Sequence, residues 1–271
     1  MNLNYKEFFK DKKVTVMGLG LLGRGLNDVL FLSKYCKEVL VTDLKSTEDL
    51  EASVRELEDL PNIKLVLGEH RLEDFESCDF VLKAAGVPLN SPYIERAREK
   101  NIPVYMDEAL FVKLAPPVMT IGVTGTRGKT TTTMMIYEIL KSSHERVFLA
   151  GNIRGMATLP LLETVKDGDI VVMELSSWQL QGFGDAGLSP HISVFTNFMD
   201  DHLNYYQHDR TLYFSDKALI YKNQTEKDFL VCGENILAEF KKNIQEAKSK
   251  KNRSDKKRYS CRSRSKNSRR A

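Results

Sequence analysis

Closely spaced cysteines are absent from this chain. The four it has, Cys36, Cys78, Cys232 and Cys261, stand 42, 154 and 29 residues apart, so none offers the short spacing of a zinc site or a redox pair. Reduced thiols are expected. Also missing is any apolar run approaching the ~20 residues that cross a bilayer, and Met1-Asn-Leu-Asn-Tyr-Lys6 lacks the apolar core of a secretory signal. These absences exclude a disulfide scaffold and a membrane span and point to the cytoplasm. Tryptophan occurs once, at Trp178, which reads as a packing aromatic rather than a substrate platform.

What is present supports folded domains. At 271 residues, 42% of them hydrophobic, the chain suits two units that each bury a core. Its net charge of +3 conceals a division: residues 248–271 hold 12 Lys or Arg against one acid, Asp255, whereas residues 1–247 hold 28 basic against 36 acidic side chains. So charged a segment cannot repay its ordering entropy by burial, and disorder is expected there. A nucleic-acid-binding tail would share that composition, but Tyr259 is its only aromatic, which leaves base stacking little support. An abrupt change to Lys/Arg/Ser-rich sequence is also what a shifted reading frame in an A-rich gene produces, and that origin is the expectation here.

Short β-rich runs alternate with helical patterns along the body. Strands are predicted at 13–17, 39–42, 63–67 and 80–83, with helices near 21–33, 47–60 and 92–101; Ala115-Pro-Pro117 then makes a stiff break. Further strands are predicted near 120–124, 146–149, 170–174 and 191–196, with helices at 129–141 and around 212–221. This alternation implies parallel, doubly wound sheets. The expected class is α/β: a Rossmann-like unit over residues 1–115, a P-loop-type central unit over 116–247 and the basic tail over 248–271.

Two glycine-rich turns carry chemistry. Gly18-Leu-Gly-Leu-Leu-Gly23 follows a strand, and Asp43 ends the next strand 20 residues past Gly23. Glycines there permit a tight turn and close approach of a pyrophosphate to a helix N-terminus, while the carboxylate accepts from a ribose or sugar hydroxyl. A glycine turn that only packs helix on strand needs no ligand; the placement of Asp43 favours a nucleotide without saying which. The second turn lies in Val118-Met-Thr-Ile-Gly-Val-Thr-Gly-Thr-Arg-Gly-Lys-Thr-Thr-Thr-Thr133. Backbone N–H groups of such a loop point at oxyanions, Lys129 reaches the outer phosphates and the Thr130 hydroxyl can hold Mg²⁺. Val123 stands where the strict Walker pattern has glycine, so the match is a variant.

The ends of later strands add partners. Glu174 closes Ile170-Val-Val-Met-Glu174, placed to bind the Mg²⁺ of a nucleotide. Asn197, Asp200, Asp201 and His202 follow another apolar run, and Gly151-Asn-Ile153 offers an amide to a substrate. His70, His144, His191 and His208 have no such setting and read as structural.

Together, Thr124-Gly-Thr-Arg-Gly-Lys-Thr130, Gly151-Asn-Ile153, Glu174-Leu-Ser-Ser-Trp-Gln-Leu180, Asn197 with Asp201-His202, and Tyr213 with Lys217-Ala218 resemble the ATP-dependent Mur ligases of peptidoglycan synthesis. The resemblance covers residues 12 to about 235. Within that family the motifs are most like the member that joins D-glutamate to UDP-N-acetylmuramoyl-L-alanine. It implies an ATP-dependent amide ligase working through an acyl phosphate. Gly125, Thr126, Arg127, Gly128, Lys129, Thr130 and Thr131 would surround ATP. Thr130 and Glu174 would hold one Mg²⁺, and His202 with a carbamylated Lys217 would serve a second. Gly20, Leu21, Leu22, Asp43 and Gly86 fall where the family binds uridine diphosphate, and Asn152 and Ser176 would meet the rest of the nucleotide-sugar. Lys129, His202 and Lys217 are the catalytic candidates.

Two departures stand out. Arg127 occupies a loop position where the family commonly has Asn, and it either adds a phosphate contact or crowds the loop. Mur ligases also carry a third domain, for which the sequence after Phe229-Leu-Val-Cys-Gly233 and a possible helix at 234–248 leaves no room. The expectation is therefore weak or absent ligation by this polypeptide, with a fragment that only binds nucleotide or UDP-sugar as the alternative.

Overall fold

The apolar runs that open each half of the chain become the central strands of two parallel sheets in a computed structural model, which describes residues 4–240 except 22, 89, 235 and 238. In the first sheet β1 (Lys13–Met17) lies between β2 (Glu38–Asp43) and β4 (Phe80–Lys83), with β3 (Ile63–Leu67) and β5 (Val104–Tyr105) at the edges. In the second, β6 (Met119–Thr124) lies between β8 (Ile170–Glu174) and β9 (Ile192–Phe195), flanked by β7 (Val147–Gly151) and β10 (Phe229–Cys232). Every pairing is parallel. Strands covered on both faces read as continuous apolar sequence, which is why β4 and β8 were legible.

The helices that flank these sheets include α1 (Tyr5–Phe9), α2 (Arg24–Tyr35), α3 (Glu51–Leu57), α4 (Pro92–Glu99), α5 (Asp107–Leu114), α6 (Lys129–Lys141), α7 (Ser177–Asp185) and α8 (Arg210–Lys222). The helix expected from residue 21 starts at Arg24, because Gly23 stands at φ +78° as its N-cap. Ser176 and Gln179 form a reciprocal capping box that starts α7. Asp209 accepts from the Thr211 and Leu212 N–H groups and starts α8.

α1, α5, α7, β5 and β10 were not anticipated. α7 carries Gly182 and Gly184, each costing about 1 kcal/mol in a helix interior, yet both are demanded by packing. A Cβ at Gly182 would lie 2.9 Å from the Met106 side chain, and one at Gly184 would lie 2.7 Å from Leu219. α7 is thus wedged between the entry to α5 and α8. A single buried apolar cluster runs from Val14, Val39 and Phe31 through Leu110 and Phe111 of α5 to Leu180 and Phe183 of α7, joining the two sheets.

Each sheet reverses strand order beside its central strand, at β1–β4 and at β6–β9. Open parallel sheets bind ligands outside the strand carboxyl ends at such points. The two glycine loops sit there. The Glu234 end of the expected 234–248 helix is helical; residues 241–271, the basic tail included, lie outside the described residues.

Candidate functional site

Gly125 leaves β6 at φ +146°, and a Cβ there would fall 2.0 Å from Thr196 Oγ1, so only glycine lets β6 turn this tightly against the β9 end. The loop is clamped from the same side. Asn197 Oδ1 accepts the Arg127 N–H at 2.9 Å and its Nδ2 donates to the Arg127 carbonyl at 3.0 Å. Thr126 exchanges bonds with Met199, its Oγ1 donating to the carbonyl at 3.1 Å and accepting the N–H at 3.0 Å. Gly128 (φ +77°) caps α6 without a side-chain acceptor, leaving the first N–H groups of the helix for an anion. Lys129 Nζ donates to the Thr126 carbonyl at 3.2 Å. The Arg127 and Thr131 side chains are exposed on this rim.

Strand register brings the metal candidates together. Glu174 pairs with Val123 of β6 and with Gly151 of β7. Its side chain is buried; Oε2 accepts the Thr130 hydroxyl at 2.6 Å and Oε1 accepts Asn152 Nδ2 at 3.0 Å. A hydroxyl and a carboxylate converging beside the phosphate loop fit Mg²⁺, which takes few protein ligands and completes its shell with phosphate and water. Among the described residues no cluster of three or more His, Cys, Asp or Glu side chains gathers in metal-holding geometry.

Lys217 is not the solvated lysine its helical position alone would suggest. It is 2% exposed in α8, and its Nζ donates to the Gly125 carbonyl at 2.9 Å. Burial, with Lys129 nearby, pulls its pKa down to about 7. His202 sits at φ +53°, with its ring centroid 4.8 Å from that of Trp178 and its Nε2 3.8 Å from Asp201. Trp178 therefore packs, as expected, but against a candidate residue. His191 is structural, held by the Thr120 hydroxyl at 2.7 Å.

The N-terminal glycine loop walls a cavity of about 150 Å³ lined by Gly20, Leu21, Arg24, Asp28, Lys83 and Asp107 among others. Asp43 is buried, with Oδ2 accepting the Gly20 N–H at 3.0 Å and Oδ1 the Lys45 N–H at 2.9 Å. It shapes the loop, and only its remaining lone pairs can meet a ligand. Gly86 lies just past the lining residues Ala84 and Ala85, and Leu22 is outside the described residues. Sequence reasoning missed Lys83 and Arg24. Lys83 is buried, donates to the Val87 carbonyl at 2.8 Å, and is drawn down to about 8 by burial. Its signal was a lone cation ending the apolar run Phe80-Val-Leu-Lys83.

Comparison with known proteins agrees with this geometry. The Mur ligase middle-domain family model matches residues 123–270, and the model for the Mur ligase MurD-like N-terminal domain matches residues 12–106. The chain belongs to the Mur ligase family. It is 42% identical over 194 residues to the UDP-N-acetylmuramoylalanine--D-glutamate ligase of Roseiflexus sp. (strain RS-1), covering 71% of this chain and 41% of that protein. The protein of the same name from Borreliella afzelii (strain PKo) is 38% identical over 217 residues, covering 80% and 46%. The chain thus spans about half the length of these curated relatives. The UDP-N-acetylmuramate:L-alanyl-gamma-D-glutamyl-meso-diaminopimelate ligase from Neisseria meningitides superimposes with a TM-score of 0.58 at 14% identity, covering 86% of this chain and 75% of that one, a likeness of fold. Among the described residues no helix is long and apolar enough to cross a membrane.

Proposed function

We propose that this Mur ligase chain holds ATP on the loop Gly125–Thr131 and UDP-N-acetylmuramoyl-L-alanine across the two units, and serves the ATP-dependent addition of D-glutamate to that nucleotide-sugar. The observation that carries the reading is the convergence of Thr130, Glu174 and Asn152 beside a glycine loop, in a chain whose curated relatives bear that ligase name.

Loop N–H groups and Lys129 stabilise charge on the transferring phosphoryl oxygens, where preorganised donors are worth most. Thr130 and Glu174 would hold Mg²⁺, which would supply neutralisation of phosphate charge. Asn152 and Ser176 orient the substrate carboxylate. Lys217, buried with its pKa drawn down to about 7, has a neutral amine fraction that can add CO₂ and release a proton, and the resulting carbamate with His202 would hold a second metal ion. Gly20, Leu21, Leu22, Asp43 and Gly86 take the uridine diphosphate end. Residues 1–115 and 116–247 are read as the corresponding domains, in a cytoplasmic protein.

Calorimetric titration with ATP·Mg²⁺ and with UDP-N-acetylmuramoyl-L-alanine tests the binding reading, and phosphate release with and without D-glutamate tests ligation. Binding of both, with release that requires D-glutamate, is the ligase outcome. Binding of both without release leaves a nucleotide-holding protein, and absence of ATP binding overturns the site.

A further inference from the structure

Glu108 lies where the two units meet, and nothing in the chemistry above employs it. It is the second residue of α5, its side chain is fully buried, and its Oε2 has no hydrogen-bond partner. Burial, then the adjacent Asp107, pushes its carboxyl well above the ordinary carboxylate range. Asp28, also buried with an unpartnered oxygen, is raised by the same two causes. A buried acid left half-satisfied is costly, and an apolar side chain such as the neighbouring Leu110 would serve packing better. Packing therefore does not account for it.

The other oxygen is held from both sides. The Gln179 side-chain amide donates to Glu108 Oε1, and Arg24 Nη1 stands 3.8 Å from the same atom. Each partner is one step from a different site. Arg24 opens α2 directly after the glycine fingerprint and lines the N-terminal cavity with Gly20, Leu21 and Lys83. Gln179, fully buried, accepts the Ser176 N–H at 2.8 Å through its Oε1 and so fixes the turn two residues beyond Glu174. Contacts thus run without a break from Arg24 through Glu108 and Gln179 to Ser176.

We propose that Glu108 is a positioning residue that couples occupancy of the N-terminal cavity by a uridine diphosphate to the geometry of the Glu174–Ser176 turn. The inference rests on the two-nucleotide reading above. A diphosphate in the cavity draws the Arg24 guanidinium toward itself, which changes the charge facing Glu108 and hence its hold on Gln179. The capping box that Gln179 completes then shifts the start of α7 and the carboxylate end of β8. Glu108 touches neither ligand, so its effect is on their mutual dependence, which linkage makes reciprocal.

The test is calorimetry on the full chain, with UDP and ATP·Mg²⁺ as probes, each titrated alone and in the presence of the other. The parent is expected to show a coupling factor of about 5 or more, equal in both directions, within the usual range for linked sites. In Glu108→Gln, which keeps an acceptor for Gln179 but replaces the carboxyl facing Arg24 with an amide, the factor falls to roughly 1 while ATP·Mg²⁺ alone binds as in the parent. Arg24→Met, altered at the relay's more exposed end, loses coupling too, and the double variant loses no more than either single one. A merely structural effect would weaken each affinity and leave their ratio standing. Unchanged coupling in both variants, or a parent that binds both probes independently, overturns the proposal while sparing the two-nucleotide reading. A parent that binds neither probe overturns both.

Discussion

Lys217 Nζ donates to the carbonyl oxygen of Gly125 at 2.9 Å, across 92 residues of sequence. The bond ties the middle of α8 to the first residue of the phosphate loop. Because Gly125 cannot carry a side chain and Lys217 is buried, the loop's conformation depends on an amine whose charged form burial disfavours. An amine in that condition suits chemical modification, and a loop so tethered is preorganised.

Replacing Lys129 with Ala should remove ATP binding or phosphoryl transfer while the fold persists. Its Nζ touches only the Thr126 carbonyl among the hydrogen-bonded partners described, so little packing is lost. Loss of one preorganised donor costs about 3–4 kcal/mol in transition-state stabilisation. ATP titration with a circular-dichroism control checks this, and parental affinity and turnover would remove the phosphate-loop assignment.

Lys217→Met keeps an unbranched side chain in the buried space but leaves the Gly125 carbonyl without its donor. The expected result is a folded protein with a melting temperature lowered by a few degrees, consistent with roughly 1–2 kcal/mol for an orphaned buried acceptor, and no ATP-dependent phosphate release. Parental release by this variant would show that Lys217 is only a tether.

The parts of this structure legible in sequence are those decided locally. β1, β3, β4, β8 and α6 fall where they were expected because buried parallel strands read as apolar runs and Gly128-Lys-Thr130 announces a helix start. α5 was hidden because Asp107–Leu114 buries residues nearly all round, Glu108 included, and so shows no amphipathic period. α7 was hidden by Gly182 and Gly184, whose need appears only when Met106 and Leu219 are seen against them. At the site, loop spacing named Lys129 and Thr130, but the Asn197 clamp and the burial of Lys217 depend on β9 lying beside β6, which sequence order does not state. The resemblance to Mur ligases supplied Lys217; its isolated sequence context would have left it in solvent.

Gly151→Ala should damage the site through backbone rather than chemistry. Gly151 has φ +87°, and a Cβ there would sit 2.1 Å from the Glu174 carbonyl oxygen. Neither β7 nor β8 can move without breaking their register. A loss of about 2–4 kcal/mol is expected from combined overpacking and left-handed strain, measured as the urea midpoint at constant slope. A variant as stable as the parent would mean that the β7–β8 ends are looser than described.

Acid sensitivity has an identifiable contributor in Asp169. Arg146 holds its carboxylate at 2.7 Å through two nitrogens, the Lys166 N–H donates at 2.6 Å, and its pKa lies below the usual value, first through the Arg146 bond. A depressed folded-state pKa means stabilisation that is full above the unfolded value and lost as pH falls through the folded one. Asp169→Asn should therefore melt below the parent at pH 7, and the gap should close as pH falls below about 4, the ordinary Asp range. A gap independent of pH would assign the loss to geometry and not to ionisation.

Uridine nucleotides, and not NAD, should protect the N-terminal unit against heat. The glycine fingerprint and Asp43 resemble a dinucleotide site, but both Asp43 oxygens already accept backbone N–H groups, from Gly20 and Lys45, so the carboxylate shapes the loop and meets a ligand only through its remaining lone pairs. The adjoining cavity of about 150 Å³ is smaller than the ~300 Å³ at which ordinary ligand pockets begin, so a ligand seats only one end in it. Lys83 and Arg24 on its wall supply cations for that end, and exposed Leu21 at its rim supplies an apolar face for a base. A ligand that binds only the native state stabilises it by about 2.7 kcal/mol at 100 times its Kd, which for a protein of this size raises Tm by roughly 5–10 °C. Thermal melts with UDP-N-acetylmuramoyl-L-alanine, UDP and NAD at matched concentrations make the comparison. A rise with the two uridine compounds and none with NAD is expected; a rise with NAD alone would return the site to the dinucleotide class and take the nucleotide-sugar reading with it.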